Sequence, residues 1–205
     1  GVTSISVIVY LRDPIELAGS LYSTSVKSGS MNSIPGHPNN FNYAHVCDHR
    51  KTLLNFSKVF GINNLIVKIF DRAILKNNSI LDDFLSILNI SDKSIFLKPS
   101  TENKSLSNLG TELLYRINKF APNLPNNINY GKRQGILIAF EKYFTNKPYL
   151  MPLSLYHSYG ENFKDSNEWV RVNFFKDKDD LFSKKKLPEL DLKEKSNTHL
   201  SRIVD

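Results

Sequence analysis

The chain has 205 residues, 40% of them hydrophobic and 23% charged, with a net charge of +7 and a single cysteine, Cys47. That composition supports one packed domain and excludes wholesale disorder, an intramolecular disulfide framework and a cysteine-only zinc site. No apolar run approaches the ~20 residues that cross a bilayer as a helix, and the positive charge is spread thinly instead of forming an arginine-rich stripe with interleaved aromatics. Small anionic ligands are therefore expected as partners, and nucleic acid is not.

Ile5 to Leu11 (ISVIVYL) is apolar at nearly every position and rich in β-branched residues, the pattern of a strand buried on both faces of a parallel sheet. The run stops at Arg12. Asp13 predicts a helix N-cap and Pro14 a first turn, so strand passes straight into helix. Ile15, Ala18, Leu21, Tyr22 and Val26 make the apolar side of that helix, Glu16, Ser20, Ser23 and Lys27 a separate polar stripe, and Gly29 its end.

Ser30 to Asn42 (SMNSIPGHPNNFN) reads as a loop long enough for a lid or substrate loop. Tyr43 to Phe60 predicts one helix with Leu53, Leu54, Phe56, Val59 and Phe60 inward, closed by Gly61. Asn63 to Asp71 (NNLIVKIFD) is a second strand of the buried kind. Strands joined through helices imply a parallel pair with a right-handed crossover. Further helices are expected after Ser79 and Asp82, over Ser105 to Phe120, over Gly131 to Phe144 and over Asp165 to Phe175. A Pro/Asn linker covers Asn123 to Asn129, and Leu181 and Phe182 fold back on the core. One domain over residues 1–183 is followed by a charged tail, 184–205. A parallel sheet has to hide both faces and normally has four or more strands, so two strands point to further strands outside the chain.

VIVYLRDPIELAGSLYSTSVKSG (Val7 to Gly29) resembles the 3′-phosphate-binding motif of sulfotransferases that use 3′-phosphoadenosine-5′-phosphosulfate (PAPS): a strand, Arg-Asp-Pro, a helix, and a serine eight residues after the arginine. Arg12 matches the arginine and Ser20 the serine. The order downstream is similar to the bacterial and carbohydrate-type branch of that family. LLNFSKVFGINNLIVKIFDRAIL looks like its helix, Phe-Gly, strand and aromatic-acid corner. ILDDFLSILNI, SLSNLGTELLYRIN and SNEWVRVNFFKDKDDLF resemble three later segments, so the likeness runs from about residue 5 to 183.

The chemistry agrees with the motif. A 3′-phosphate takes short charge-assisted hydrogen bonds; a guanidinium offers a rigid donor fork and a hydroxyl one more donor. Ligands of open α/β sheets sit outside the carboxyl ends of strands, where Arg12 falls, and Lys27 on the same stripe would add positive potential. The resemblance implies an α/β fold: a helix-rich, P-loop-type doubly wound parallel sheet, here incomplete. It also implies PAPS as sulfuryl donor and a hydroxyl of a carbohydrate or small polar molecule as acceptor; the single cysteine fits a reducing compartment, and a cytoplasmic location is expected. In the family a Gly-x-x-Lys-Thr-Gly-Thr-Thr-like loop near the amino terminus wraps the 5′-phosphosulfate. No such stretch occurs here, and the general base also usually lies upstream. The expectation is the carboxyl-terminal two-thirds of a sulfotransferase, without catalysis of its own.

Other readings stand beside this one. Arg12 would otherwise be a structural residue paired with Glu16, and Ser20 a filler on a half-buried helix face. A non-catalytic module of the same fold would bind an anionic sugar or a protein. A glycosyltransferase would want an Asp-x-Asp metal motif, and the spaced acids of KDKDD (Lys176 to Asp180) are expected only in a solvated turn. His45 and His49, with Cys47 and Asp48 between them, have chelating spacing but no third and fourth ligand. They are expected on a solvated helix start, or lining an acceptor site with His37 of the loop. Phe70, Trp169, Val172 and Phe175 read as core, and Lys184 to Lys186 as solvated tail.

Overall fold

In the computed structural model the described residues are 1, 4–92, 96, 104–120, 130–145 and 147–183. The tail from 184 onward, with Lys184 to Lys186, and the linker of Asn123 to Asn129 lie outside them.

Strand β1 (Val7–Leu11) pairs in parallel with β2 (Leu65–Ile69), in register from Val7 opposite Leu65 to Leu11 opposite Ile69. The chain between them forms α1 (Pro14–Lys27), α2 (Phe41–Cys47) and α3 (His49–Phe60). After β2 come α4 (Ile80–Ile87), α5 (Asn108–Phe120), α6 (Tyr130–Tyr143), α7 (Leu153–Asn162) and α8 (Lys164–Phe174). The architecture is a helix-rich α/β arrangement around a two-stranded parallel sheet among the described residues.

Local signals place α1 as expected. Asp13 accepts from the backbone N–H of Ile15 and Glu16, and Pro14 occupies the first helical position. At the other end Gly29 takes φ +104°, with Gly29 N–H on the Val26 carbonyl and Ser30 N–H on that of Ser25, the paired bonds of a Schellman stop.

Four expectations need correction. The strands are not buried on both faces: Val7 to Tyr10 and Ile66 to Lys68 are half-buried, with only Leu11, Leu65 and Ile69 fully covered. Val7, Val9 and Val67 pack on one side against Leu53, Val170 and Leu181, while Tyr10 and Lys68 meet the carboxylate of Asp83 on α4. The single helix over Tyr43 to Phe60 is two, because Asp48 leaves helical geometry (ψ 85°) and caps α3 through Lys51 N–H. On α3, Leu53 faces the core but Phe56 and Val59 are exposed: the helix turns its His49–Leu53 side inward. On α8 the buried valine is Val170, and Val172 is 46% exposed.

Helix α1 runs through two apolar clusters. Ala18 joins Cys47, Leu155, Tyr159 and Phe163, while Tyr22 and Val26 join Leu106, Leu114 and Tyr115. A fully buried leucine or valine such as Leu106, Leu114 or Val26 contributes about 1.5–3 kcal/mol. Leu181 reaches the cluster under the sheet, as expected from its place after the last helix.

Candidate anion site

Three backbone carbonyls of the bend from β1 into α1 meet residues distant in sequence. The Leu11 carbonyl accepts the Phe70 N–H at 2.6 Å, joining the ends of the two strands. The Arg12 carbonyl accepts from His49 Nε2 at 2.7 Å. The Pro14 carbonyl lies 3.7 Å from the Cys47 thiol. This segment is therefore fixed from β2, α2 and α3 at once, and Arg12 leaves it at the carboxyl end of the sheet.

The Arg12 side chain is 30% exposed. Its Nε lies 3.4 Å from Glu16 Oε2, and its guanidinium sits 5.8 Å from the centre of the Phe70 ring. Burial is the main influence lowering its affinity for a proton; Asp13 works against that, and the nearby charge of Arg72 works with it. A guanidinium stays charged regardless, so Arg12 holds its positive charge in a partly desolvated position. The Glu16 contact is long and partly exposed, in the range worth about 0.2–1 kcal/mol.

Ser20 lies one turn beyond Glu16 on the same face of α1, so the acid stands between the two residues of the motif. Its hydroxyl is 3.4 Å from that of Ser105, in the segment leading into α5. No hydrogen bond links Arg12 to Ser20. The structure sets both along one helix face, each with its own neighbour.

The rest of the predicted polar stripe is not solvated. Ser23 is buried and accepts the Leu106 N–H at 2.8 Å. Lys27 is 8% exposed and donates to Glu141 and to the Lys104 carbonyl, each at 3.1 Å. Its charge is engaged in docking α5 and α6 and adds no open positive potential. The loop expected as a lid is tied down: Tyr22 and Tyr159 donate to the carbonyls of Asn32 and Gly36, and Asn118 donates to that of Ser30.

A cleft opens beside Arg12 at the carboxyl ends of the strands, between Asp13, Glu16, Phe70, Asp71 and Lys178. Three carboxylates against one ammonium make it a poor seat for a phosphate, and neither Arg12 nor Ser20 lines it. Among the described residues no group of acidic, histidine and cysteine side chains could hold a metal. His49 is buried with its Nε2 on the Arg12 carbonyl, and so does not belong to a solvated helix start.

No family model matches this sequence, and no curated protein or solved structure matches it either.

Proposed function

We propose that the chain is the 3′-phosphate-binding portion of a sulfotransferase that moves a sulfuryl group from PAPS to a hydroxyl of a carbohydrate or small polar acceptor. The observation that carries this is Arg12: a half-covered guanidinium at the carboxyl end of a parallel strand, at the mouth of a capped helix, whose carboxylate contact among the described residues is a long one of 3.4 Å to Glu16. Arg12 and Ser20 would grip the 3′-phosphate, with Glu16 giving way. Under this assignment β1 and β2 are neighbours in a larger doubly wound, P-loop-type sheet, and the protein works in the cytoplasm, where the buried Cys47 thiol stays reduced.

Calorimetry with adenosine 3′,5′-bisphosphate and adenosine 5′-monophosphate tests it. The bisphosphate should bind more tightly, and Arg12→Ala should remove at least about 1.5 kcal/mol of that preference, the low end for charged hydrogen bonds. Glu16→Gln should raise bisphosphate affinity. Equal affinity of the wild-type chain for the two nucleotides would overturn the assignment.

A further inference from the structure

We infer that Ser105 is a second hydroxyl ligand of the same anion, so that the seat is built by α1 and by the segment before α5 together. The inference rests on the assignment of Ser20 to a phosphate. Its starting point is the spacing of the two hydroxyls. At 3.4 Å the Ser105–Ser20 contact is well beyond the ~2.7–2.8 Å of a good hydroxyl pair. Both residues are half-buried and neither is fully covered. Two donors at that separation can each point a proton at a different oxygen of one phosphate.

The position of Ser105 is set by its neighbours. Immediately after it, Leu106 is fully buried, and its N–H is held by Ser23. Immediately before it, the Lys104 carbonyl is held by the buried Lys27 ammonium. Two anchors one helical turn apart on α1 thus clamp the segment and present Ser105 beside Ser20. Clamping on both sides of a residue whose own contact is loose fits a ligand-facing position better than a packing one. Arg12 would supply charge from one end of the stripe, and the two serines would supply hydroxyl donors from the other.

The 205-residue chain is titrated with adenosine 3′,5′-bisphosphate and adenosine 5′-monophosphate, as wild type, Ser20→Ala, Ser105→Ala, Ser105→Thr and Ser23→Ala. Ser105→Ala should weaken the bisphosphate about five-fold, within the range of one hydroxyl hydrogen bond, and leave the monophosphate unchanged. Ser105→Thr keeps a hydroxyl and should restore binding. Ser23→Ala should lower the melting temperature most, since its hydroxyl is structural, with a smaller effect on the ratio of the two affinities. If Ser20→Ala weakens the bisphosphate while Ser105→Ala does not, Ser105 is no ligand and the assignment of Ser20 survives. If the wild-type chain does not distinguish the nucleotides, both fall together.

Discussion

His49, 37 residues away in sequence, donates its Nε2 proton to the carbonyl of Arg12 at 2.7 Å and fixes the bend from which the arginine projects. The ring is 3% exposed and stacks at a tilt 5.9 Å from Phe182. Replacing it by phenylalanine keeps a ring but leaves a carbonyl without its donor, which should cost about 1–3 kcal/mol in urea unfolding. His49→Gln retains an N–H and should recover part of that loss.

The same residue gives the stability a pH dependence. Burial holds the His49 imidazole below its ordinary 6.5, although the Arg12 carbonyl, Asp13 and Asp48 pull the other way. A folded value below the unfolded one favours the neutral ring. Its contribution is therefore complete above about pH 6.5 and is lost as the pH falls toward the folded value. Wild-type melting temperature should fall between pH 7 and pH 5 more steeply than that of His49→Gln; parallel curves would rule out His49 as the source.

Cys47 should be chemically silent. It is fully buried, and burial, helped by Asp13, pushes its thiol up to about 12. At pH 8 the native chain should take up almost no iodoacetamide by mass spectrometry under conditions that alkylate the urea-unfolded chain completely, because the thiolate is both scarce and covered. Rapid labelling of the native chain would show that α2 opens away from α1.

What the sequence discloses is what its neighbours in sequence decide. Asp13, Pro14 and Gly29 bound α1 through contacts within a few residues, and the β-branched run places the end of β1 at Leu11 and its start two residues early, at Ile5 instead of Val7. Arg12 is visible because a charge interrupts an apolar run. Residues whose roles depend on distant partners are not visible: His49 reads as part of a solvated helix start, and Ser23 and Lys27 read as a polar stripe with no sign that they hold the segment before α5. The outward turn of Phe56 and Val59 is equally hidden, since an apolar residue on a helix does not say which element it faces. Helix α7 escapes notice because Leu155 and Tyr159, its two buried residues, are set among Tyr, His and Ser that weaken the apolar period.

Asp83 ties both strands to α4. It is 4% exposed, accepts the Tyr10 hydroxyl at 2.7 Å and the Lys76 N–H at 3.2 Å, and lies 3.4 Å from Lys68 Nζ. Burial alone would raise its proton affinity, but Tyr10, the Lys76 amide and Lys68 outweigh that and hold it below the usual carboxylate value. A depressed folded value means stability that is present above the unfolded value of about 4 and lost as pH falls through the folded one. Asp83→Ala should cost about 2–3 kcal/mol at pH 7, with the Lys68 side reduced by its partial exposure, and Tyr10→Phe about 1 kcal/mol. Urea unfolding at pH 7 and pH 3 checks both: the gap between wild type and Asp83→Ala should narrow at the lower pH.

Two glycines should respond to alanine with opposite signs. Gly110, in the first turn of α5, lies against the end of α6: an added Cβ would stand 2.5 Å from the Cβ of Phe144 and 3.1 Å from its Cγ. That part of Phe144 is the root of the side chain, and its carbonyl is already fixed by the Ser107 N–H at 2.6 Å, so it has no way to step aside. The helical preference for alanine, worth ~1 kcal/mol, is then overwhelmed by overpacking, and Gly110→Ala should destabilise by about 1–3 kcal/mol. A Cβ at Gly135, inside α6, meets nothing within 4 Å. Gly135→Ala should therefore keep the propensity gain and raise stability by about 0.5–1 kcal/mol. Thermal unfolding of the two single variants beside the wild type decides the matter; a stabilising Gly110→Ala would mean that α5 and α6 do not pack as closely as Gly110 and Phe144 require.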